Sequence, residues 1–326
     1  MKQTVAVIFT GGTISMKVDA RIKAAIPSMS SEDIMSMVTN IDQMAALDIV
    51  EFGALPGPHM TPEKMMELKR LVQSKLNEDE ICGVVITHGT DNLEETAYLM
   101  DLCISHVKPV VFVGSMRNGS ELGYDGPSNL AAAICTAIHP NSKNKGVLVV
   151  LNNEVNAARE VTKTHTLALD TFKSQEFGPL GIVDQDDVIF YHKNSMPTVH
   201  IETDEIESDV HLIKTAAGMD SMILNFLVEK GVKGIVIEGM GRGNVPPLMM
   251  EGIRHALEAK IPVVLVSRCP MGRVLGSYGY DGGGKQLEDL GVIFASNLNG
   301  QKARIQLMLA ITAATNFEDI ATYFQD

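Results

Sequence analysis

The sequence predicts an α/β protein with two domains. The larger N-terminal domain has a doubly wound, mostly parallel sheet of the flavodoxin or Rossmann type, and a smaller C-terminal α/β domain follows. Strands alternate with helices along the chain, and the strands are apolar throughout, as in sheets covered on both faces. One polar, acidic stretch interrupts the alternation. A chain of 326 residues suits one large or two medium domains.

The elements of the N-terminal domain can be assigned in order. A first strand ends in the glycines of "FTGGT" (9–13), and Ser30 with Asp33 has the capping-box spacing that opens a helix. Thr61 and Pro62 are typical of the start of the next helix. Further strands are predicted in "LDIVEF", "CGVVIT" (82–87), "PVVFVG" (109–114) and "GVLVVLN" (146–152), and further helices in "NLEETAYLMDLCISH" and "PSNLAAAICTAI".

The domain boundary is predicted where residues 193–210 become polar and acidic. The segment "FGPLGIVDQDDVIFYH" before it is typical of a β-hairpin, and strands and helices alternate again after it. We therefore assign residues 1–192 to the N-terminal domain, 193–210 to a linker and 211–326 to the C-terminal domain.

Composition excludes several classes of function. A net charge of −13 and a pI near 5.1 argue against non-specific binding to nucleic acid or to anionic membranes. The four cysteines are widely spaced, and the absence of CxxC pairs predicts no metal site. The N-terminal apolar run is too short for a signal peptide, and no segment approaches the roughly 18 apolar residues of a membrane span. We expect a soluble, cytoplasmic protein.

Three loops after predicted strands carry the candidate functional residues: "FTGGT", "THGTDN" (87–92) and "GSMRNGSELGYDGPSN" (114–129). In open parallel sheets such loops converge on one rim, where ligands bind. The first loop lacks the glycine spacing of dinucleotide and P-loop sites. Its glycines are better explained as presenting the hydroxyl of Thr13, which as a nucleophile would need a base and oxyanion donors.

Thr90, Asp91 and Lys163 are the candidate partners of such a hydroxyl. Gly89 allows the chain to aim Thr90 and Asp91 out of the sheet edge, although Asp91 or the residue after it could equally cap the next helix. Lys163 can act as a base if its surroundings lower its pKa, although composition alone favours a solvated lysine. A single histidine at a strand end, here His88, is more typical of a hydrogen-bonded structural residue than of a base.

A collinear series of motifs resembles the bacterial-type L-asparaginases. The motifs are "TGGTI" (10–14), "HGTD" (88–91), "VGSMR" (113–117), "DGPSNL" (125–130), "REVTKTHT" (159–166), "GRGNVP" (241–246) and "NGQKARI" (299–305). They cover nearly the whole chain. The resemblance implies hydrolysis of the side-chain amide of asparagine through an acyl-threonine intermediate, with no metal and no cofactor.

The resemblance also implies roles for individual residues. Thr13 resembles the primary nucleophile. Thr90 resembles a residue that positions the attacking water or shares in the attack, and Lys163 one that tunes the Thr90 proton. Asp91 resembles the residue that binds the substrate α-amino group. Asn244 falls where the family sends an asparagine across an intimate dimer interface, which implies a homodimer or homotetramer. The remaining substrate-binding candidates are Gly12, Gly57, Pro58, His59, Gly89, Ser115 and Met116.

Three positions depart from the family pattern. The family usually carries a tyrosine after "GGTI" that helps to activate the nucleophile, whereas residues 15–29 contain none. Gly57 stands where the family has a serine that helps to hold the substrate α-carboxylate, and a site that cannot pair this charge should bind asparagine poorly. The acidic residue that some members supply from the C-terminal domain has no clear match, and Asp281, Tyr278 or Tyr280 are its candidate substitutes.

Two other functions are consistent with these motifs. One is the ammonia-supplying subunit of a tRNA-dependent amidotransferase, and the other is a non-catalytic amino-acid-binding protein on the same fold. The retained Thr90, Asp91 and Lys163 favour an enzyme. Ammonia release from asparagine, glutamine and small amides distinguishes an enzyme from a binding protein.

Overall fold

A computed structural model describes residues 2–192 and 199–325 of the chain. The chain divides into two compact units, Met1–Thr198 and Val199–Asp326. Residues 193–198 of the predicted linker lie outside the described residues, and the rest of the predicted linker belongs to the second unit.

The first unit contains strands and helices that alternate as far as β7. Its strands are β1 (Thr4–Gly11), β2 (Met16–Asp19), β3 (Ala24–Pro27), β4 (Ala46–Leu55), β5 (Ile81–Thr87), β6 (Val110–Val113), β7 (Val147–Leu151), β8 (Glu154–Ala157), β9 (Thr162–Lys163), β10 (Phe172–Lys173), β11 (Gly181–Asp184) and β12 (Asp187–Phe190). Its α-helices are α1 (Ser31–Ser36), α2 (Ile41–Met44), α3 (Pro62–Leu76), α4 (Leu93–Cys103) and α5 (Gly126–Ile138).

The main sheet has the strand order β12-β11-β8-β7-β6-β5-β1-β4. Its neighbours from β4 to β7 pair in parallel, and antiparallel pairs add β8, β11 and β12 at one edge. The parallel part follows the 2-1-3-4-5 order of flavodoxin-like sheets, in which ligands bind where the order reverses, between the first and third strands. Here these strands are β1 and β5. The predicted mostly parallel sheet is confirmed.

The central strands β1, β5, β6 and β7 are buried on both faces of this sheet, to which alternate residues of each strand point. On one face, Val5, Val7 and Phe9 of β1 belong to a core cluster with residues of α1 and α5. Ala6 and Ile8 point to the other face and are fully buried; there α3 packs on β5 and α4 on β7. Burial on both sides explains why these strands are apolar throughout.

Local signals set the predicted helix starts. The Ser30 hydroxyl accepts a hydrogen bond from the Asp33 N–H at 3.1 Å, and the Asp33 carboxylate accepts one from the Ser30 N–H at 3.0 Å. This capping box satisfies two donors that a helix start leaves unpaired. The Thr61 hydroxyl accepts from the Lys64 N–H at 3.4 Å, with Pro62 at the first helical position of α3.

The hairpin formed by β2 and β3 was not predicted. It begins at Met16, three residues after Thr13. Its turn is closed by the Asp19 carboxylate, which accepts hydrogen bonds from the N–H groups of Arg21 and Ile22 at 2.8 and 3.1 Å. Because three of its eight strand residues are exposed and none is buried, the hairpin lacks the apolar alternation from which strands are recognised.

The second unit contains a smaller parallel sheet in the order β13-β14-β15-β16. Its strands are β13 (Val210–Lys214), β14 (Gly234–Gly239), β15 (Val263–Ser267) and β16 (Ile293–Phe294), and its helices are α6 (Met222–Lys230), α7 (Met250–Glu258), α8 (Gly284–Asp289) and α9 (Gly300–Ala313). This confirms the predicted smaller α/β region. Within residues 2–192 and 199–325, no helix combines the length and apolar composition needed to cross a bilayer.

Candidate active site

The ends of β1 and β5 meet at the point where the strand order reverses. The buried Thr10 hydroxyl donates a hydrogen bond to the Thr87 carbonyl at 2.7 Å. This bond ties the two strand ends together, so Thr10 has a structural partner. Of the two threonines in the first loop, Thr13 is the one whose hydroxyl is left for chemistry.

Glycines bring three loops into direct backbone contact. Gly12 has a φ of 87° and ψ of −176°, and a Cβ placed on it would lie 2.5 Å from both N and Cα of Gly89. A Cβ on Gly89 would lie 2.6 Å from Cα of Gly57. The three glycines therefore allow the loops after β1, β4 and β5 to touch. Pro58 and His59 complete the turn begun by Gly57, and both are exposed.

Thr13 begins a single 3₁₀ turn, Thr13–Ser15. The turn is fixed by the buried Ile14 side chain and by the Ser15 hydroxyl, which donates to the Gly12 carbonyl at 3.0 Å. Thr13 is half-buried, and its hydroxyl makes no hydrogen bond to the described residues. The loop thus presents an unpaired hydroxyl from a rigid backbone.

Lys163 joins Thr90 and Asp91. Its ammonium donates to the Thr90 hydroxyl oxygen at 2.9 Å and to the Asp91 carboxylate at 2.8 Å. Backbone pairing of Lys163 with Phe172 across β9 and β10 holds the lysine in place. Because the Thr90 oxygen accepts from Lys163, the Thr90 proton is directed elsewhere and can be donated to a substrate or to water.

Neither of the two candidate caps holds the start of α4 with its side chain. The N-cap residue is Asn92, which makes no side-chain capping bond, and Asp91 is engaged by Lys163. The N–H groups of Gly89 and Thr90 make no backbone hydrogen bond within residues 2–192. They are potential donors to an oxyanion beside the Thr90 hydroxyl.

His88 has a structural role. It is buried, and its Nδ1–H donates to the Gly89 carbonyl at 2.8 Å. Burial lowers the pKa of His88 to about 4 despite this hydrogen bond, so the ring is neutral at physiological pH. The ring therefore fixes the Gly89 peptide.

The loop after β6 is folded onto the start of α5. The Asp125 carboxylate accepts from the N–H groups of Met116 and Arg117 at 3.0 and 2.9 Å. Ser115 is fully buried, and its hydroxyl donates to the Arg117 carbonyl at 2.8 Å. In this structure Ser115 shapes the loop, while Met116 is half-buried.

Tyr124 was not singled out from the sequence. Its hydroxyl donates to the carbonyl of Ile14, the residue after Thr13. No local motif marks this contact, because the two residues are 110 positions apart.

Asn244 lies in the second unit, in a tight turn. Its N–H donates to the Met240 carbonyl at 2.9 Å, and its side-chain oxygen accepts from the Gly284 N–H at 3.2 Å. In the same unit, Tyr278 and Tyr280 are the two tyrosines considered as substitutes for the family's acidic residue, and their rings are 5.6 Å apart. No cluster of three or more histidine, cysteine or acidic side chains suited to a metal ion occurs in the described parts of either unit.

Comparison with known proteins identifies the family. Residues 4–196 match the family model "Asparaginase, N-terminal", and residues 209–324 match "Glutaminase/Asparaginase C-terminal domain". The chain belongs to the asparaginase family. The resemblance seen in the motifs is therefore confirmed.

Individual asparaginases align over almost the full chain. The L-asparaginase of Bacillus licheniformis is 35% identical over 313 residues, 96% of this chain and 97% of that protein. L-asparaginase 2 of Escherichia coli (strain K12) is 31% identical over 328 residues, covering 98% and 92%. The crystal structure of a probable cytoplasmic L-asparaginase from Campylobacter jejuni is 33% identical, with a TM-score of 0.89 over 99% of each chain.

Proposed function

We propose that this chain is an L-asparaginase, which converts L-asparagine and water to L-aspartate and ammonia with the Thr13 hydroxyl as nucleophile. The observation that carries the proposal is the arrangement at the reversal of strand order. The unpaired Thr13 hydroxyl and the pair Thr90 and Asp91 stand on loops that touch through Gly12 and Gly89, and Lys163 of β9 donates hydrogen bonds to Thr90 and Asp91. Near-full-length relatives named as L-asparaginases support the same activity.

In the first half-reaction, the Thr13 oxygen attacks the side-chain amide carbon. The carbonyl electrons move to its oxygen, which the N–H groups of Gly89 and Thr90 stabilise. When the tetrahedral intermediate collapses, the C–N bond breaks, the nitrogen gains the proton lost from Thr13, and ammonia leaves. In the second half-reaction water attacks the ester carbon, aspartate leaves, and Thr13 regains its proton.

Lys163, Thr90 and Asp91 bind the substrate and direct the proton of the Thr90 hydroxyl. The Asp91 side chain is 66% exposed, so it can pair with the α-ammonium of asparagine while it still accepts from Lys163. The positive charge of Lys163 beside the Thr90 oxygen polarises that hydroxyl, whose own proton points toward the reacting group or a water.

The substrate α-carboxylate is held by weaker partners than in other family members. Gly57 supplies no hydroxyl, and the exposed His59 imidazole on the same turn is the side-chain donor available there. We place the carboxylate against the Gly57–His59 turn, with Gly12, Gly89 and the loop at Met116 forming the rest of the pocket. This arrangement favours a high KM for asparagine.

We further propose that the enzyme acts in the cytoplasm as a homo-oligomer, with residues 1–192 as its catalytic domain. The cytoplasmic assignment is supported by the Campylobacter jejuni relative. The resemblance of the "GRGNVP" motif supports a site shared between two copies, with Asn244 crossing the interface. Light scattering gives the assembly size; a fully active monomer would refute the shared site.

The direct test is ammonia release from asparagine by Thr13→Ala, Thr13→Ser and Thr90→Val variants. Thr13→Ala and Thr90→Val should each lower kcat by about a thousandfold or more. When several residues act as one catalytic unit, the loss of any one of them removes most of the rate enhancement. Thr13→Ser, which keeps a hydroxyl, should retain measurable turnover. Unchanged melting temperatures would show that all three variants are folded. Substantial activity in Thr13→Ala would show that the nucleophile is another residue.

A further inference from the structure

The Thr13–Ser15 turn is braced from the loop between β6 and α5. The Tyr124 hydroxyl donates to the Ile14 carbonyl, the Gly119 N–H donates to the Met16 carbonyl at 2.9 Å, and the Ser120 hydroxyl accepts from the Val18 N–H at 3.0 Å. Of these three bonds, the one from Tyr124 reaches the turn itself. The other two reach the hairpin that follows.

The position of the Tyr124 ring is tightly specified. The ring packs against the core cluster on one face of the sheet. The hydroxyl end of the ring also lies against Gly126, where an added Cβ would overlap the hydroxyl oxygen, Cζ and Cε2. Next to it, Asp125 is fixed by two backbone donors and by the Asn129 side chain, which donates to it at 3.0 Å. Tyr124 thus connects the core cluster of the main sheet to the backbone beside Thr13.

We propose that Tyr124 is a positioning residue for the nucleophile, holding the Thr13–Ser15 turn through the Ile14 carbonyl so that the Thr13 hydroxyl stays aligned with Thr90. This inference rests on the proposed role of Thr13. Residues 15–29 contain no tyrosine, and the proposal gives a tyrosine on a different loop the role of holding the nucleophile in place.

The geometry excludes Tyr124 as the base that takes the Thr13 proton. A phenol acting as a base must be ionised, whereas Tyr124 uses its proton to bond the Ile14 carbonyl. Burial, with a further contribution from the Asp125 charge, raises the pKa of Tyr124 above its ordinary value. The residue therefore stays neutral and acts through the backbone.

The experiment compares asparagine hydrolysis by the full-length wild type and by Tyr124→Phe, which removes only the hydroxyl. Tyr191→Phe is the matched control, because Tyr191 is an exposed tyrosine of the same unit. Tyr124→Phe should lower kcat about tenfold, since small misplacements of a reacting group reduce rates strongly. KM and the midpoints of the pH–rate profile should stay unchanged, and Tyr191→Phe should behave as wild type.

A second variant, Gly126→Ala, keeps the phenol but displaces the ring, and provides the same test if Tyr124→Phe does not fold. Its loss of kcat should match that of Tyr124→Phe, and the double variant should lose no more than either alone. An unchanged kcat in folded Tyr124→Phe, or a shifted pH–rate midpoint, would overturn the proposal. Thr13→Ala is measured in parallel: if it remains active, the role of Thr13 fails, whereas an inactive Thr13→Ala beside a fully active Tyr124→Phe overturns the positioning role alone.

Discussion

Replacing Gly12 by alanine should disable the site while leaving most of the protein folded. The added Cβ would lie 2.5 Å from two backbone atoms of Gly89, and the loops must separate by roughly 1 Å before carbon atoms reach ordinary contact distance. The Gly12 backbone is also in a region of φ and ψ that is essentially restricted to glycine, which adds about 1–3 kcal/mol of strain.

The functional consequence is larger than the loss of stability. Gly12 precedes Thr13 and Gly89 precedes Thr90, so separating the glycines separates the two hydroxyls. A displacement of about 1 Å can lower a rate by about a hundredfold. Gly57→Ala is the matched control, because the atom nearest to its Cβ would be the Asn92 side-chain oxygen, at 3.2 Å, and the Gly89 carbonyl carbon would lie at an ordinary contact distance of 3.6 Å. Ammonia release should give a kcat about a hundredfold lower in Gly12→Ala and within a few-fold of wild type in Gly57→Ala. Thermal melting checks that both variants are folded. Full activity in Gly12→Ala would refute the reasoning.

Three further outcomes are expected. Lys163→Met should lower kcat by at least about a hundredfold without lowering the melting temperature much, because it removes the donor to Thr90. As pH falls from about 6.5 to 4, His88 becomes protonated in unfolded chains but not in folded ones. The free energy of unfolding should therefore fall by up to about 3 kcal/mol, and this loss should stop below pH 4. In urea unfolding, His88→Asn should lack this pH-dependent loss. Gly57→Ser should lower KM for asparagine about tenfold, since a hydroxyl bonded to a charged group contributes about 1.5–3 kcal/mol, and should leave KM for β-alanine amide, which has no α-carboxylate, unchanged.

The parallel sheet could be predicted because its determinants are local. Strands buried on both faces are continuously apolar, and the starts of α1 and α3 carry capping residues within one turn. The β2–β3 hairpin and α9 were missed for opposite reasons. The hairpin is largely exposed, whereas α9 is so extensively buried that it shows little contrast between its faces. Its start signal was present in the sequence, since the Asn299 side chain accepts from the Lys302 N–H at 3.0 Å.

Some residues of the candidate site could also be selected from local sequence signals, and others could not. Thr13, Thr90 and Asp91 could be selected because each follows a strand whose end faces the ligand-binding rim. Lys163 needed the family motif, because composition alone favoured a solvated lysine and its contact with Thr90 depends on the β9–β10 pairing. Tyr124 was beyond sequence reasoning, since the residues between it and Ile14 include four α-helices and five strands of the main sheet or the β2–β3 hairpin.

The Lys163–Thr90 bond also makes turnover a measure of complete folding. Its two residues are 73 positions apart, and β6, β7 and β8 lie between them in the chain. A partly folded chain can form β1 and β5 and still lack the lysine. During refolding, ammonia production should therefore appear only with the slow, non-local contacts that complete the sheet, after most helical signal has returned.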